Sequence, residues 1–182
     1  MSSRDFDPFS LDVTAFAKAG GQLDGHWPLA QFDRLTESAV AGALVPDAGE
    51  VDWHLRGEAR AMRGGEVQVW LHLRAATALP LECQRCLKPV DTALQIERSF
   101  LFVHGEDAAA QLDADSDDDV LALTRALDLR ELIEDELLLA MPIVPRHEVC
   151  PEPLLAPAGD GQVEEKPNPF AALAALKRTG LN

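Results

Sequence analysis

Residues 51–74 alternate apolar and polar side chains over two runs, and this alternation is the strongest constraint on the fold. The first run begins at Val51 and the second at Val67. Period-two alternation predicts half-buried strands, and Arg63-Gly64-Gly65 between the runs predicts a hairpin turn. A turn of odd length, with a glycine in the left-handed conformation, places the apolar residues of both strands on one face.

Further strands are predicted over residues 76–82 and 90–103, whereas the first 50 residues are ambiguous. Regular structure is expected to end over 104–119, because the acidic run from Asp113 to Asp119 is too repulsive to pack and predicts a flexible loop. The pattern predicts an α+β fold: a curved antiparallel sheet or open barrel with a C-terminal amphipathic helix and an acidic loop.

The amphipathic helix is predicted to begin after Asp128, which caps it, and to stop at Pro142. Its apolar positions recur at helical spacing. Its polar face is predicted to be a solvated acidic surface rather than a site for acid–base chemistry, since no histidine joins the carboxylates at helical spacing. The carboxylates on this face are Glu131, Glu134, Asp135 and Glu136.

The length of 182 residues, 47% of them hydrophobic, suits one core with a small appendage. We predict a single domain over residues 1–150, followed over 151–182 by a proline-rich linker and a short basic helix that Asn168 caps. Two readings of the terminal helix stay open: it binds a partner, or it packs on its own domain. Its candidate partner-binding residues are Phe170, Leu173, Leu176, Lys177 and Arg178.

Charge is distributed unevenly along the chain. The net charge of −15 argues against a nucleic-acid partner for the chain as a whole. However, residues 104–165 carry 3 basic and 17 acidic side chains, while residues 51–103 carry 7 and 6 and residues 166–182 carry 3 and none. Most of the negative charge therefore lies in one block, and a local basic patch elsewhere remains compatible with the composition.

The chain is expected to be cytoplasmic. No apolar run approaches the ~20 residues that span a bilayer, and the N-terminal residues lack the apolar core of a signal peptide. The three cysteines form an odd number, which suits a reducing compartment better than a disulfide scaffold. No membrane partner is therefore predicted.

Two pairs of metal-ligand residues share the same spacing. Cys83 and Cys86 form one pair, and His147 and Cys150 form the other, about 60 residues downstream. Together they could complete a Cys3His tetrahedral site for a structural zinc ion. Two other readings of the cysteine pair stay open: a redox dithiol, which the following Pro89 and strand make less suitable, or two small residues in a turn.

Basic and aromatic side chains suggest where RNA could bind. Arg85 and Lys88 flank Cys86 and are candidate phosphate contacts. A second group should share the outer face of the predicted hairpin, where it could stack on unpaired bases and contact phosphates. The alternative is an ordinary solvated face, or a face that a helix covers with the tryptophan as core. This second group comprises Arg56, Arg60, Trp70, His72 and Arg74.

Catalytic motifs are absent from the sequence. No G-x-S-x-G, Walker A or dinucleotide-binding glycine pattern occurs, and four protein ligands would leave a zinc ion no open position for catalysis. The residues therefore predict a binding protein rather than an enzyme, and no small-molecule substrate is expected.

Three segments of the chain together form a recognisable pattern: 81–89 around the cysteine pair, 128–145 with His147 and Cys150, and Lys166-Pro167-Asn168-Pro169-Phe170 with the following residues to 177. Through these segments the chain resembles the YceD family of large ribosomal RNA subunit accumulation proteins. The resemblance implies a non-enzymatic factor for accumulation, processing or assembly of the large-subunit (23S) ribosomal RNA, acting on its precursor. The alternative is a protein–protein adaptor that docks on a ribosomal protein or assembly factor without touching RNA.

Overall fold

The computed structural model describes residues 6–43, 49–62, 64 and 67–152. The predicted terminal helix and nearly all of the predicted linker lie outside these residues. The division between a domain over 1–150 and a tail over 151–182 therefore stays a prediction. Of the predicted turn Arg63-Gly64-Gly65, only Gly64 is described, and its φ of 117° lies in the region that favours glycine.

The described chain contains helices on both sides of a set of long strands. None of its helices combines the length and apolar character that crossing a bilayer requires. In chain order the elements are α1 (Val13–Lys18), β1 (Gln22–Pro28), a 3-10 turn (Leu29–Gln31), α2 (Asp33–Ser38), β2 (Glu50–Ala61), β3 (Val67–Glu82), β4 (Pro89–Val103), α3 (Glu106–Asp115), β5 (Asp119–Ala122) and α4 (Leu129–Leu139).

The strands form one open sheet in the order β1-β2-β3-β4-β5. The first four are antiparallel neighbours, and β5 runs parallel to β4 at the edge. The predicted α+β class and the curved, open sheet are confirmed. The sheet is mixed rather than wholly antiparallel, because α3 supplies the crossover that a parallel pair needs.

The register of the β2–β3 hairpin follows from the alternating sequence. Leu55 pairs with Leu73, and Trp53 pairs with Ala75, so their side chains share one buried face. The strands predicted over 67–73 and 76–82 are one continuous strand, β3. No glycine or proline separates the two segments at residues 74–76, so the backbone has no local cause to turn.

The main core lies between one face of the sheet and helices α1, α2 and α4. Phe16, Leu35 and Ile133 project from these helices and are fully buried. Helix α1 comes so close to β2 that a Cβ at Gly57 would lie 2.7 Å from Cδ1 of Phe16 and 2.9 Å from the Cα of Ala17. Glycine at this position therefore permits the close packing of helix on sheet.

A second, smaller apolar cluster lies on the opposite face of the sheet. Trp70 and Leu101 pack there with Ala109 from α3 and Val120 from β5. The expectation that regular structure ends over 104–119 is therefore wrong: apolar contacts hold α3 and β5 on the sheet, and the Asp113 carboxylate accepts the Val120 N–H at 2.9 Å. The acidic loop between these elements shortens to residues 116–118.

Helix α4 begins as predicted but carries an unexpected buried surface. Asp128 Oδ1 accepts the N–H groups of Arg130 and Glu131 at 2.9 and 3.2 Å, which confirms the cap. The expectation of a wholly solvated acidic face is wrong for Glu134 and Glu136, each only 8% exposed. Arginines from other elements pair with both carboxylates, which makes their burial tolerable.

Candidate metal centre

The tip of the β3–β4 hairpin is a tight turn that carries the first cysteine pair. The Cys83 N–H donates to the carbonyl of Lys88 at 3.0 Å, and the Leu87 N–H donates to the carbonyl of Cys83 at 2.8 Å. Leu87 has a φ of 58° and is the only non-glycine residue in the described chain with positive φ. The turn therefore folds back tightly enough to bring Cys83 and Cys86 into one cluster.

The segment after α4 lies against this turn. The Gln84 N–H donates to the carbonyl of Pro145 at 2.9 Å, and the His147 N–H donates to Sγ of Cys83 at 3.5 Å. The guanidinium of Arg85 donates to the carbonyls of His147 and Glu148 at 3.3 and 3.4 Å. These bonds join two parts of the sequence about 60 residues apart and place His147 beside the cysteine pair.

The predicted ligand atoms converge. One atom from each of Cys83, Cys86, His147 and Cys150 lies within 4.8 Å of all the others, and no other group of this kind occurs in the part of the chain that the structure describes. All three cysteines are free thiols, with Cys83 buried and the other two half-buried. The cluster could therefore hold a metal ion.

The spacing suits zinc. Tetrahedral zinc with its usual Zn–S and Zn–N bond lengths separates a sulfur from a nitrogen ligand by about 3.6 Å, and Sγ of Cys86 lies 3.4 Å from Nδ1 of His147. Three thiols and one imidazole are also a donor set that structural zinc sites use. The Cys86–His147 separation and the chemistry of the four donors thus fit the metal.

A hydrogen bond from one ring nitrogen of His147 shows that the other ring nitrogen is the one that faces the cluster. Nε2 lies 3.0 Å from the carbonyl oxygen of Pro89. A carbonyl can only accept, so Nε2 carries the proton and Nδ1 keeps its lone pair toward Cys86. Ligating histidines commonly donate their other N–H to a backbone carbonyl in this way, which orients the ring.

The Cys83 thiol has the electrostatics of a metal ligand. Burial raises its pKa, but N–H donors from His147, Cys86 and Arg85 outweigh this effect and lower the pKa to about 5. The thiolate is the form that binds metals. The backbone N–H groups around Cys83 thus favour the thiolate form that a metal ion would bind.

Arg85 and Lys88, the predicted phosphate contacts, lie on the exposed side of the turn. Arg85 contacts the carbonyls of the second segment, so it links the two halves of the site as well as carrying charge. Both residues have partners within the protein. RNA contact by either residue stays a prediction.

The second predicted RNA-binding group shares the outer face of β2 and β3, as the register requires. Its basic side chains have partners within that face: Glu58 pairs with Arg56 and Arg60 and lies 3.1 Å from Nε2 of His72, while Glu97 pairs with Arg74. The three arginine ion pairs lower the positive charge available to a phosphate.

Trp70, the aromatic member of this group, is covered. It is 6% exposed, within the cluster that α3 and β5 complete, and the Arg60 guanidinium lies 4.7 Å from its ring centroid. Base stacking on Trp70 would require α3 to move away. RNA binding by this face remains a prediction, and the geometry favours the covered-face alternative.

The partner-binding residues predicted in the terminal helix lie outside the described residues. They are Phe170, Leu173, Leu176, Lys177 and Arg178.

The fold and the site define a class of protein: an open-sheet α+β protein in which a hairpin tip and the segment after α4 form a four-residue cluster that could hold a metal ion. The chain matches the family described as large ribosomal RNA subunit accumulation protein YceD over residues 71–177. This match covers more than half of the sequence and includes the whole cluster, so the chain belongs to the YceD family. The resemblance inferred from the sequence is confirmed.

One relative illustrates how far the similarity extends. A protein of Haemophilus influenzae (strain ATCC 51907 / DSM 11121 / KW20 / Rd), named Large ribosomal RNA subunit accumulation protein YceD, is 29% identical over 176 residues. These residues cover 94% of this chain and 96% of the relative. The similarity therefore includes the N-terminal part, where the sequence motifs are weak. No solved structure shows significant similarity to the chain.

Proposed function

We propose that this chain is a non-enzymatic, cytoplasmic factor that promotes accumulation of large-subunit ribosomal RNA by binding the precursor of that RNA. Membership of the YceD family carries the proposal, because the family name concerns this RNA. The chemistry of the hairpin tip supports it, since a hydrogen-bonded turn there holds Arg85 and Lys88 at the surface. Basic side chains on a fixed scaffold can contact phosphates without catalysing a reaction.

We further propose that the cluster holds one structural zinc ion. Cys83, Cys86, His147 and Cys150 would be its ligands, and the metal would supply cross-linking rather than catalysis, because four protein ligands leave no open position. His147 and Cys83 are already oriented by backbone hydrogen bonds. Loss of the metal should release the segment after α4 from the hairpin tip.

Metal analysis tests the zinc proposal. Protein purified without chelators should contain about one zinc per chain. His147→Gln should lower both the zinc content and the melting temperature, because metal binding is coupled to folding. His54→Gln is the matched control, since His54 belongs to no such cluster in the described chain. Metal-free wild-type protein would contradict the proposal.

Salt dependence tests direct RNA binding. Each neutralised phosphate of a single strand contributes a slope of about −0.7 to the logarithm of affinity against the logarithm of salt concentration. Lys88→Gln should reduce the magnitude of the slope by about that amount, whereas Lys18→Gln on α1 should leave it unchanged. Binding to precursor particles that is insensitive to salt and survives ribonuclease would favour the adaptor alternative.

A cellular measurement tests the proposed role itself. Cells that lack this chain should accumulate less large-subunit ribosomal RNA, with small-subunit RNA little changed. The wild-type chain should restore the level. Unaltered large-subunit RNA in these cells would contradict the proposed function, whatever the purified protein binds.

A further inference from the structure

Leu87 combines two unfavourable features at the hairpin tip. Its φ of 58° lies in the left-handed region, where the Cβ of an L residue meets the following carbonyl oxygen. Its side chain is 66% exposed, so little of it is buried to offset that cost. Leucine is therefore a poor choice for this position on grounds of folding alone.

The turn does not need the leucine side chain. Its contribution to the turn is the N–H group, which donates to the carbonyl of Cys83. Glycine would supply the same N–H and adopt the same φ without steric cost. An exposed apolar side chain kept in a strained position points to a contact outside the chain.

Other exposed apolar side chains lie in the segment that binds this turn. Ile143 is 98% exposed, Val149 84% and Val144 56%. They precede and follow Pro145 and His147, whose backbone bonds hold the segment to the hairpin tip. Leu87 and these three residues thus lie on two segments that are hydrogen-bonded to each other, and we call the exposed side chains of the two segments the tip surface.

The tip surface is also locally basic. Residues 83–90 contain Arg85 and Lys88 and no acidic residue, and residues 140–149 contain Arg146 and one acidic residue, Glu148. The two segments therefore carry three basic side chains and one acidic side chain, whereas the whole chain has a net charge of −15. Aliphatic side chains alone would suit a protein partner, but the local positive charge favours a polyanion.

We propose that Leu87 contacts the face of an unpaired RNA base, an inference that rests on the proposed function. A leucine at the tip of a turn can reach a base face only where the base is unstacked, as in loops, bulges and ends. The neighbouring cations would contact the phosphates on either side of that base.

Net charge gives a second reason to prefer a short unpaired segment over a duplex. A long duplex would bring many phosphates close to an acidic protein. A short unpaired segment brings only a few phosphates within the screening distance of the protein's acidic groups, which is about 8 Å at physiological salt. The tip surface therefore fits a few unpaired nucleotides.

The test uses the full chain with Leu87→Gly, which removes the side chain and relieves the backbone at once. The probes are a short single-stranded RNA oligonucleotide of mixed sequence and the same sequence annealed as a duplex. Wild-type protein should prefer the single strand, and Leu87→Gly should weaken that binding about tenfold. Its melting temperature and zinc content should be unchanged or higher.

Leu112→Ala is the matched control. This leucine is exposed on α3, beyond the end of β4 opposite the hairpin tip, and its replacement should not change RNA affinity.

Equal affinity of wild type and Leu87→Gly for the single strand, or a preference for the duplex, would overturn the inference and leave the proposed function standing. A Leu87→Gly variant that binds RNA normally yet fails to restore ribosomal RNA levels would also overturn the inference. The contact of Leu87 would then be with a protein. Wild-type protein that binds neither probe would contradict both the inference and direct RNA binding.

Discussion

Glu134 on α4 binds the backbone and the side chain of Arg34 with one carboxylate. Its Oε1 accepts the Arg34 N–H at 2.8 Å and the Leu35 N–H at 3.2 Å, while Oε2 accepts from Nε of Arg34 at 2.9 Å. The residue before α2, Phe32, provides no side-chain cap. A carboxylate from a distant helix therefore supplies the acceptor that the start of α2 lacks.

Replacing Glu134 should destabilise the fold. Glu134→Ala leaves the N–H groups of Arg34 and Leu35 and the Nε–H of Arg34 without their acceptor, so we expect a loss of about 2–3 kcal/mol in the free energy of unfolding. Asp135→Asn is the control, because Asp135 also pairs with Arg34 but its side chain is 54% exposed. Its effect should stay within about 0.5 kcal/mol. Urea unfolding measures both, and equal losses would refute the capping role.

Glu58 should make stability depend on acid pH. The hydrogen bond from Arg60 lowers its pKa, partial desolvation opposes this, and His72 and the arginine charges lower it further, to about 2 from the ordinary 4.5. Because the folded pKa is the lower one, the carboxylate stabilises the fold above pH 4.5, and this contribution is lost as the pH falls toward 2.

Glu58→Gln tests this dependence. The difference in unfolding midpoint between wild type and variant should be largest above the titration window and should shrink through it as acid is added. Glu106→Gln, at an exposed carboxylate on α3, is the matched control. A difference that does not vary with pH would mean that Glu58 contributes through packing rather than charge.

We predict that Trp70 stabilises the fold and does not bind RNA. Trp70→Ala removes the largest side chain of the cluster beneath α3 and should cost about 3–5 kcal/mol, with a clear fall in melting temperature. RNA affinity should remain intact where the variant is still folded. A Trp70→Phe variant preserves most of the apolar volume and should recover much of the stability. Loss of RNA binding in a stable Trp70→Phe variant would instead support base stacking on this face.

Deleting residues 166–182 should separate partner binding from folding. Three of the four acidic side chains of α4 that could attract the basic tail are already engaged: Glu134 and Asp135 pair with Arg34, and Glu136 pairs with Arg98. We therefore expect the truncated chain to keep its melting temperature and to co-sediment less with large-subunit precursors. A strongly destabilised truncation would show that the tail belongs to the core.

The sequence predicts the parts of the fold that local patterns encode. Alternation predicts β2 and the first part of β3, with the correct buried face. Asp128 predicts the start of α4, and equal ligand spacing predicts the pairing of Cys83 with His147. In each case a few neighbouring residues carry the whole signal.

Other parts depend on contacts between distant residues, which no local pattern reveals. The acidic composition around α3 argues against order, yet Ala109 and Val120 pack with Trp70 and hold this segment on the sheet. Likewise, Glu134 resembles a solvated helix carboxylate in the sequence, and only Arg34, a hundred residues earlier, explains its burial. The sequence does not predict β1, because this edge strand buries little of its surface and therefore has only a weak apolar pattern.

The contacts between the start and the end of the described domain have a consequence for its synthesis. Leu11 exchanges backbone hydrogen bonds with Leu127, and the Leu129 N–H donates to the carbonyl of Pro8. Such pairings raise the contact order, which slows folding. Because translation proceeds from the N-terminus, α2 leaves the ribosome long before α4 exists to pack against it. The native core can form only once most of the chain has been translated, so the nascent N-terminal segment is the part most exposed to misfolding and to chaperones.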